Sequence, residues 1–188
     1  MKKIMMIAAL MVATLSANAQ QMFIKPMVGA DLTTMTGDVE DTKMKVGLVA
    51  GAEFGYNLSE QFGLTAGLLY SMQGTKIKNV DKAYKMDYLN IPVLANYYII
   101  PGLAIKAGIQ PGFLMSAKHD GVDVKDYYKS FDLSVPLGLS YEISDFVIDA
   151  RYNLGVSNIM DKNLSHATGD AKAHNAVIML TVGYKIPF

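Results

Sequence analysis

Apolar and polar residues alternate through most of this chain, and FVIDARYNLGVS at 146–157 shows the pattern most plainly. Successive side chains of a β-strand point to opposite faces. Phe146, Ile148, Ala150, Tyr152, Leu154 and Val156 therefore share one side, and Val147, Asp149, Arg151, Asn153, Gly155 and Ser157 the other. No stretch of ten or more residues sustains apolar recurrence at helical spacing. The alternation predicts eight strands, over 22–33, 45–57, 61–74, 84–99, 102–117, 127–142, 145–158 and 174–188. Tyr88 to Ile105 runs eighteen residues without a charge, long enough to suggest a membrane helix. Asn90, Pro92, Asn96 and the Pro101-Gly102 pair divide it instead into two strands around a turn.

The breaks between strands come in two alternating kinds. Those at 57–60, 99–102 and 142–145 are tight turns, whereas 34–44, 75–83, 118–126 and 159–173 are longer and richer in Asp, Lys, Asn and Gly. Short turns thus gather at one end and long loops at the other. With an even strand count both termini fall at the short-turn end, which is the arrangement of an outer-membrane barrel with periplasmic turns and extracellular loops. The expected fold is all-β, an eight-stranded antiparallel up-and-down transmembrane β-barrel.

In the last strand Ala176, Ile178, Leu180, Val182, Tyr184, Ile186 and Phe188 share one face. Twelve steps at ~3.3 Å, tilted by ~45°, cover roughly 28 Å, the height of the apolar belt of such a barrel. A soluble eight-stranded carrier would turn this pattern inside out. The interior of eight strands is only just wide enough for side chains, and the polar set here is small: Gly47, Gly51, Gly55, Gly63, Thr65, Gly67, Ser134, Gly138 and Ser140. The apolar face is therefore assigned to lipid and the polar face to the lumen. Tyr56, Phe62, Tyr97, Tyr141, Phe146, Tyr184 and Phe188 map to the short-turn end as one aromatic girdle, and Tyr70, Phe113, Tyr127 and Phe131 to the other.

Counted from the periplasmic ends, Lys25, Glu53, Thr65, Asn96, Lys106, Asp149 and Arg151 fall at similar depth on the lumen face. Charges in a confined interior persist when paired and hydrogen-bonded, so these residues are expected to form a salt-bridged structural network that fills the lumen. Pro26, Pro92, Pro111 and Pro136 each remove a ladder donor within a predicted strand. Local bulges are the expected remedy, with an exchange of inward and outward sets placed at Pro111 ahead of Pro92 or Pro136.

Composition adds the compartment. Lys2 and Lys3 precede an apolar run from Ile4 to Leu15, and Ala17-Asn18-Ala19 offers a small-residue cleavage site. The expected organisation is a signal peptide at 1–19 and a barrel domain at 20–188. Without Lys2 and Lys3 the chain carries 15 basic and 17 acidic residues with no basic cluster, which argues against nucleic acid as a partner. It has no cysteine, so its stability must come from burial and complete backbone hydrogen bonding.

Several segments carry a resemblance: Tyr88-Leu89-Asn90-Ile91-Pro92-Val93-Leu94, Gly108-Ile109-Gln110-Pro111-Gly112-Phe113, Arg151-Tyr152-Asn153-Leu154-Gly155 and Gly183-Tyr184-Lys185-Ile186-Pro187-Phe188. Over the whole mature chain the sequence resembles the PorT-like "porin family" of outer-membrane β-barrels, small barrels of OmpX-type shape. The resemblance implies residence in the bacterial outer membrane among its lipids. It also implies an assembly signal read by the barrel-insertion machinery, matched here by Tyr184, Ile186 and Phe188. It implies no biochemical activity.

Candidate chemistry is sparse. His119, His166 and His174 lie in or beside the long loops, with Asp120 and Asp123 near His119 and Ser165 before His166. A rim hydrolase or lipid acyltransferase would need such groups to converge, and adjacency in sequence does not supply that. Three scattered histidines without cysteine fall short of a metal site, and no glycine-rich phosphate loop is present, so no metal, cofactor or catalytic residue is expected. The readings rank as a structural or interaction barrel acting through extracellular loops, then a narrow pore or small-ligand-binding barrel, then a rim enzyme.

Overall fold

The structure is a computed structural model that describes residues 21–38, 42–77, 83–161 and 172–188. The expected signal peptide, Ser165 and His166 lie outside the described residues. The strands are β1 (Met22–Gly37), β2 (Thr42–Lys43), β3 (Lys45–Asn57), β4 (Phe62–Ile77), β5 (Ala83–Asn90), β6 (Val93–Ile100), β7 (Leu103–His119), β8 (Val122–Asp123), β9 (Phe131–Ile143), β10 (Phe146–Gly155), β11 (Ala173–Tyr184) and β12 (Ile186–Pro187). All pair antiparallel in one sheet. Eight staves make the wall, with β5 and β6 forming one, β11 and β12 another, and β2 and β8 serving as short rim additions.

The sheet closes on itself. β1 pairs with β3 on one side, and on the other with β11 from Met27↔Gly183 to Gly37↔Ala173 and with β12 through Phe23↔Pro187. Closure removes the free edges that an open sheet would expose. β7 has 17 residues, which at ~3.3 Å per residue and ~45° tilt spans roughly 35–40 Å against an apolar belt of ~25 Å. The strand ends beyond the expected 33, 74 and 117 therefore carry the wall past the bilayer on the long-loop side.

Alternation decides which face is which. Along β10 every second residue is buried, with Asp149, Arg151 and Asn153 at 1–2% exposure while Ile148 is 42% exposed. Leu137, Leu139, Leu180 and Val182 are likewise exposed on the outer wall.

The prolines cause no exchange of faces. Asn90↔Gly112 and Val93↔Ile109 hold one register across Pro92, with Ile91 N–H donating to Pro111 O at 2.8 Å and Gly67 N–H to Pro92 O at 2.9 Å. Alternation also runs unbroken through Pro26, Pro111 and Pro136. The irregularity expected at Pro111 falls later: Asp87 pairs with Ser116 and Tyr88 with Leu114, so Met115 is an extra residue on β7. Leu114 and Ala117 are both buried as a result.

Glycine matters where staves approach closely. A Cβ on Gly51 would sit 2.1 Å from Leu68 O and 2.8 Å from Leu69 Cα, both backbone atoms that have no freedom to yield. Gly51→Val is expected to destabilise the barrel by about 1–3 kcal/mol, read as a lower urea midpoint for folding into vesicles.

Inside, the lumen is layered. Met27, Val49, Leu69 and Met179 form one buried apolar layer, and Met35, Met86, Tyr88, Leu114, Ala117, Ile159 and Ala173 form a second beneath the extracellular mouth. The segment after β10, expected to be a solvated connection from 159 onward, instead begins by folding inward. Ile159 is fully buried, its N–H donates to Ala173 O at 2.9 Å, and its carbonyl accepts from Lys129 N–H at 2.8 Å. The strand expected from 127 starts only at Phe131, because Lys125–Tyr127 form a 3-10 turn.

Candidate functional site

Five of the seven residues expected at one depth in the lumen converge. Lys25 enters from β1, Glu53 from β3, Lys106 from β7, and Asp149 and Arg151 from β10, where their spacing of two puts both on the inner face. Lys25 Nζ lies 2.8 Å from Glu53 Oε2 and 3.7 Å from Asp149 Oδ2. Lys106 Nζ bonds Asp149 Oδ2 and lies 3.6 Å from Glu53 Oε2. Arg151 grips Asp149 with two donors, Nε to Oδ1 at 2.5 Å and Nη2 to Oδ2 at 2.8 Å, while Nη2 also reaches Glu53 Oε1 at 2.5 Å. Two-donor contact of this kind fixes orientation as well as charge.

All five side chains are 0–3% exposed. Ions so far from water are tolerated only because each carboxylate meets several cations at once. Thr65 and Asn96, the other two expected members, do not join the ion pairs. They line a small space of about 10 Å³ beside Lys25 and Lys106, near the volume one water occupies.

Polar groups pair across the lumen on both sides of this cluster. Towards the periplasm Tyr98 Oη donates to Glu142 Oε1 at 2.9 Å, Lys185 Nζ donates to Glu142 Oε2 at 2.9 Å, and the same ammonium lies 4.5 Å from the centre of the Phe23 ring. Towards the outside Ser71 Oγ donates to Asp31, and Asp132 accepts from Ser157 Oγ at 2.5 Å and Asn175 Nδ2 at 2.9 Å. Asp31, Asp132, Glu142 and Asn175 were missing from the expected network. Their inward parity was the signal that identifies them.

Both girdles lie on the outer wall except for Tyr127, which the 3-10 turn holds outside the strands. At the periplasmic end Phe62 meets Tyr97 at 5.1 Å between ring centres, Phe146 meets Tyr184 at 5.2 Å, and Phe54, a residue the sequence reading omitted, meets Phe188 at 6.0 Å. At the other end Phe113 and Phe131 pair at 5.8 Å. Tyr184, Ile186 and Phe188 all face outward, and Phe188 N–H donates to Met22 O at 3.2 Å.

The loop histidines do not converge. His119 stacks on Tyr84 at 4.0 Å, His174 Nδ1 contacts Ser157 O at 2.8 Å, and Asp123 Oδ1 accepts from Lys125 N–H at 2.9 Å. Among the described residues no three His, Cys, Asp or Glu side chains cluster as metal ligands would. A rim groove of about 680 Å³ is walled by Lys125, Asp126, Tyr128, Lys129, Asn158 and Asp161 among others, with both signs of charge.

Residues 12–161 match the family described as outer membrane protein beta-barrel domain. Among solved structures, Ail, the attachment invasion locus protein of Yersinia pestis, is similar with a TM-score of 0.55 at 16% identity, over 89% of this chain and 99% of that one. Neisserial surface protein A gives a TM-score of 0.58 at 15% identity, over 88% of this chain and 97% of that one. Identities this low speak to the fold alone. No curated protein matches the sequence.

Proposed function

The chain belongs to the outer membrane protein beta-barrel domain family and resides in the bacterial outer membrane, and from that premise we propose a structural or interaction barrel that conducts nothing and acts through its extracellular rim. The occluded lumen carries this reading. The five-residue ion cluster and two apolar layers occupy the interior of the eight staves, so a water-soluble partner is met at the extracellular rim. Its groove offers Tyr128 with Lys125 and Lys129 on one side and Asp126 and Asp161 on the other, a mixed surface that suits a polar partner. The PorT-like resemblance of Tyr88–Leu94 and Arg151–Gly155 supports a place among small porin-family barrels. The outward set Tyr184, Ile186 and Phe188 is proposed as the contact for the assembly machinery.

Planar bilayer recordings test the sealed lumen. The purified barrel is expected to give no stepwise conductance, as side chains rather than water fill an eight-stranded interior. Discrete steps that change size on Arg151→Gln would overturn the reading and favour a narrow pore.

A further inference from the structure

Four lysines stand in a row on the outer wall at its extracellular end. Lys43 lies opposite Lys76 on neighbouring strands, Lys85 lies opposite Lys118, and Lys76 is the diagonal neighbour of Lys85 across the β4–β5 ladder. All four are exposed. Lys76 shares its face with the lipid-facing Tyr70 and Met72, and Lys85 with Leu89 and Ile91. Lys118 joins them only because of the extra residue at Met115. Parity set by the buried Ala104, Lys106 and Gln110 would turn residue 118 into the lumen, and the bulge turns it out beside Lys85.

Directly opposed like charges destabilise a sheet, yet this row has two such pairs. Among the described residues none of the four forms an ion pair with a carboxylate, although Asp123 lies opposite Lys118 on its other side and Asp87 shares the wall below Lys85. Below the row a groove of about 500 Å³ crosses the wall from Lys45 and Leu48 on β3 past Met72 on β4 to Lys85 and Asp87 on β5 and Lys118 on β7. Lys85 is four residues beyond Leu89, which lies level with Tyr70 of the upper girdle. That places the ammonium groups roughly 9 Å above the girdle, at the depth of lipid headgroups rather than of acyl chains.

We propose that this groove and lysine row bind a phosphate-bearing lipid of the outer leaflet, acyl chain along Leu48 and Met72 and phosphate on Lys85 and Lys118. This site is independent of the rim groove and of the lumen. Position selects the partner: outward side chains just above the belt meet headgroups, and cationic residues at a membrane surface favour anionic ones.

Native mass spectrometry of the folded barrel with lipid A, and with the same glycolipid stripped of its phosphates, tests the site. Lys85→Gln/Lys118→Gln is compared with Lys172→Glu, which changes the net charge equally at an exposed residue just before β11, and folding of each is checked by the gel shift on boiling. Wild type is expected to bind lipid A about tenfold more tightly than the first variant, to match the second, and to lose the difference when phosphates are absent or salt is high. Equal affinity in all three proteins, or equal binding of the dephosphorylated lipid, would overturn the proposal. So would an equal loss in the second variant.

Discussion

Glu53→Gln is expected to cost the barrel about 3–5 kcal/mol of folding stability, the scale for removing one partner from a buried charge network. The substitution keeps shape and removes only charge. It leaves Lys25, Lys106 and Arg151 facing the single carboxylate of Asp149, at a depth shielded from bulk solvent. Urea titration of folding into vesicles, read by the boiling-dependent gel shift, should show the midpoint fall well below that of the native chain. Adding Lys25→Gln removes the ammonium that sits 2.8 Å from Glu53, and the double variant should recover part of the loss. A midpoint unmoved by Glu53→Gln would mean that the pairs are solvated and the lumen open.

Leu180→Arg tests the other face. Leu180 is 56% exposed on the outer wall, between Ala30 of β1 and Ala150 of β10. Near the middle of the belt an arginine facing lipid costs about 2–4 kcal/mol, and the same urea titration should register it. The expected signature is a graded loss with depth: Val156→Arg, near the extracellular margin, should cost less than half as much. If Leu180→Arg left stability unchanged, the apolar face would not be meeting acyl chains.

Much of this architecture was legible because a period of two is unambiguous over long stretches. FVIDARYNLGVS assigns its own faces, and the pairing of Lys25, Glu53, Lys106, Asp149 and Arg151 follows once strand ends are aligned. The alternating short and long breaks supplied the topology. Thr65 and Asn96 line the small space beside the cluster rather than joining it, because depth does not fix which way a short side chain reaches around the barrel axis.

What stayed hidden depends on contacts between strands. The Met115 bulge answers a mismatch between β5 and β7, and neither sequence alone records that mismatch. Proline drew attention to the wrong position, because a missing donor can be absorbed where the ladder needs none. The apolar layers of the lumen were overlooked since Met27, Met35, Met86 and Met179 were not sought on a face read as polar, although their parity placed them there. Ile159 resembled part of a hydrophilic loop, and only the closed mouth shows why it is buried.

The seam between β1 and the β11–β12 stave has a consequence for biogenesis. It joins the first stave to the last, so no cylinder exists until the final stave has zipped to β1. Every shorter nascent form keeps two raw margins of unpaired amides and carbonyls. Closure therefore depends on the latest strand to be synthesised, and a chain lacking it cannot bury both margins.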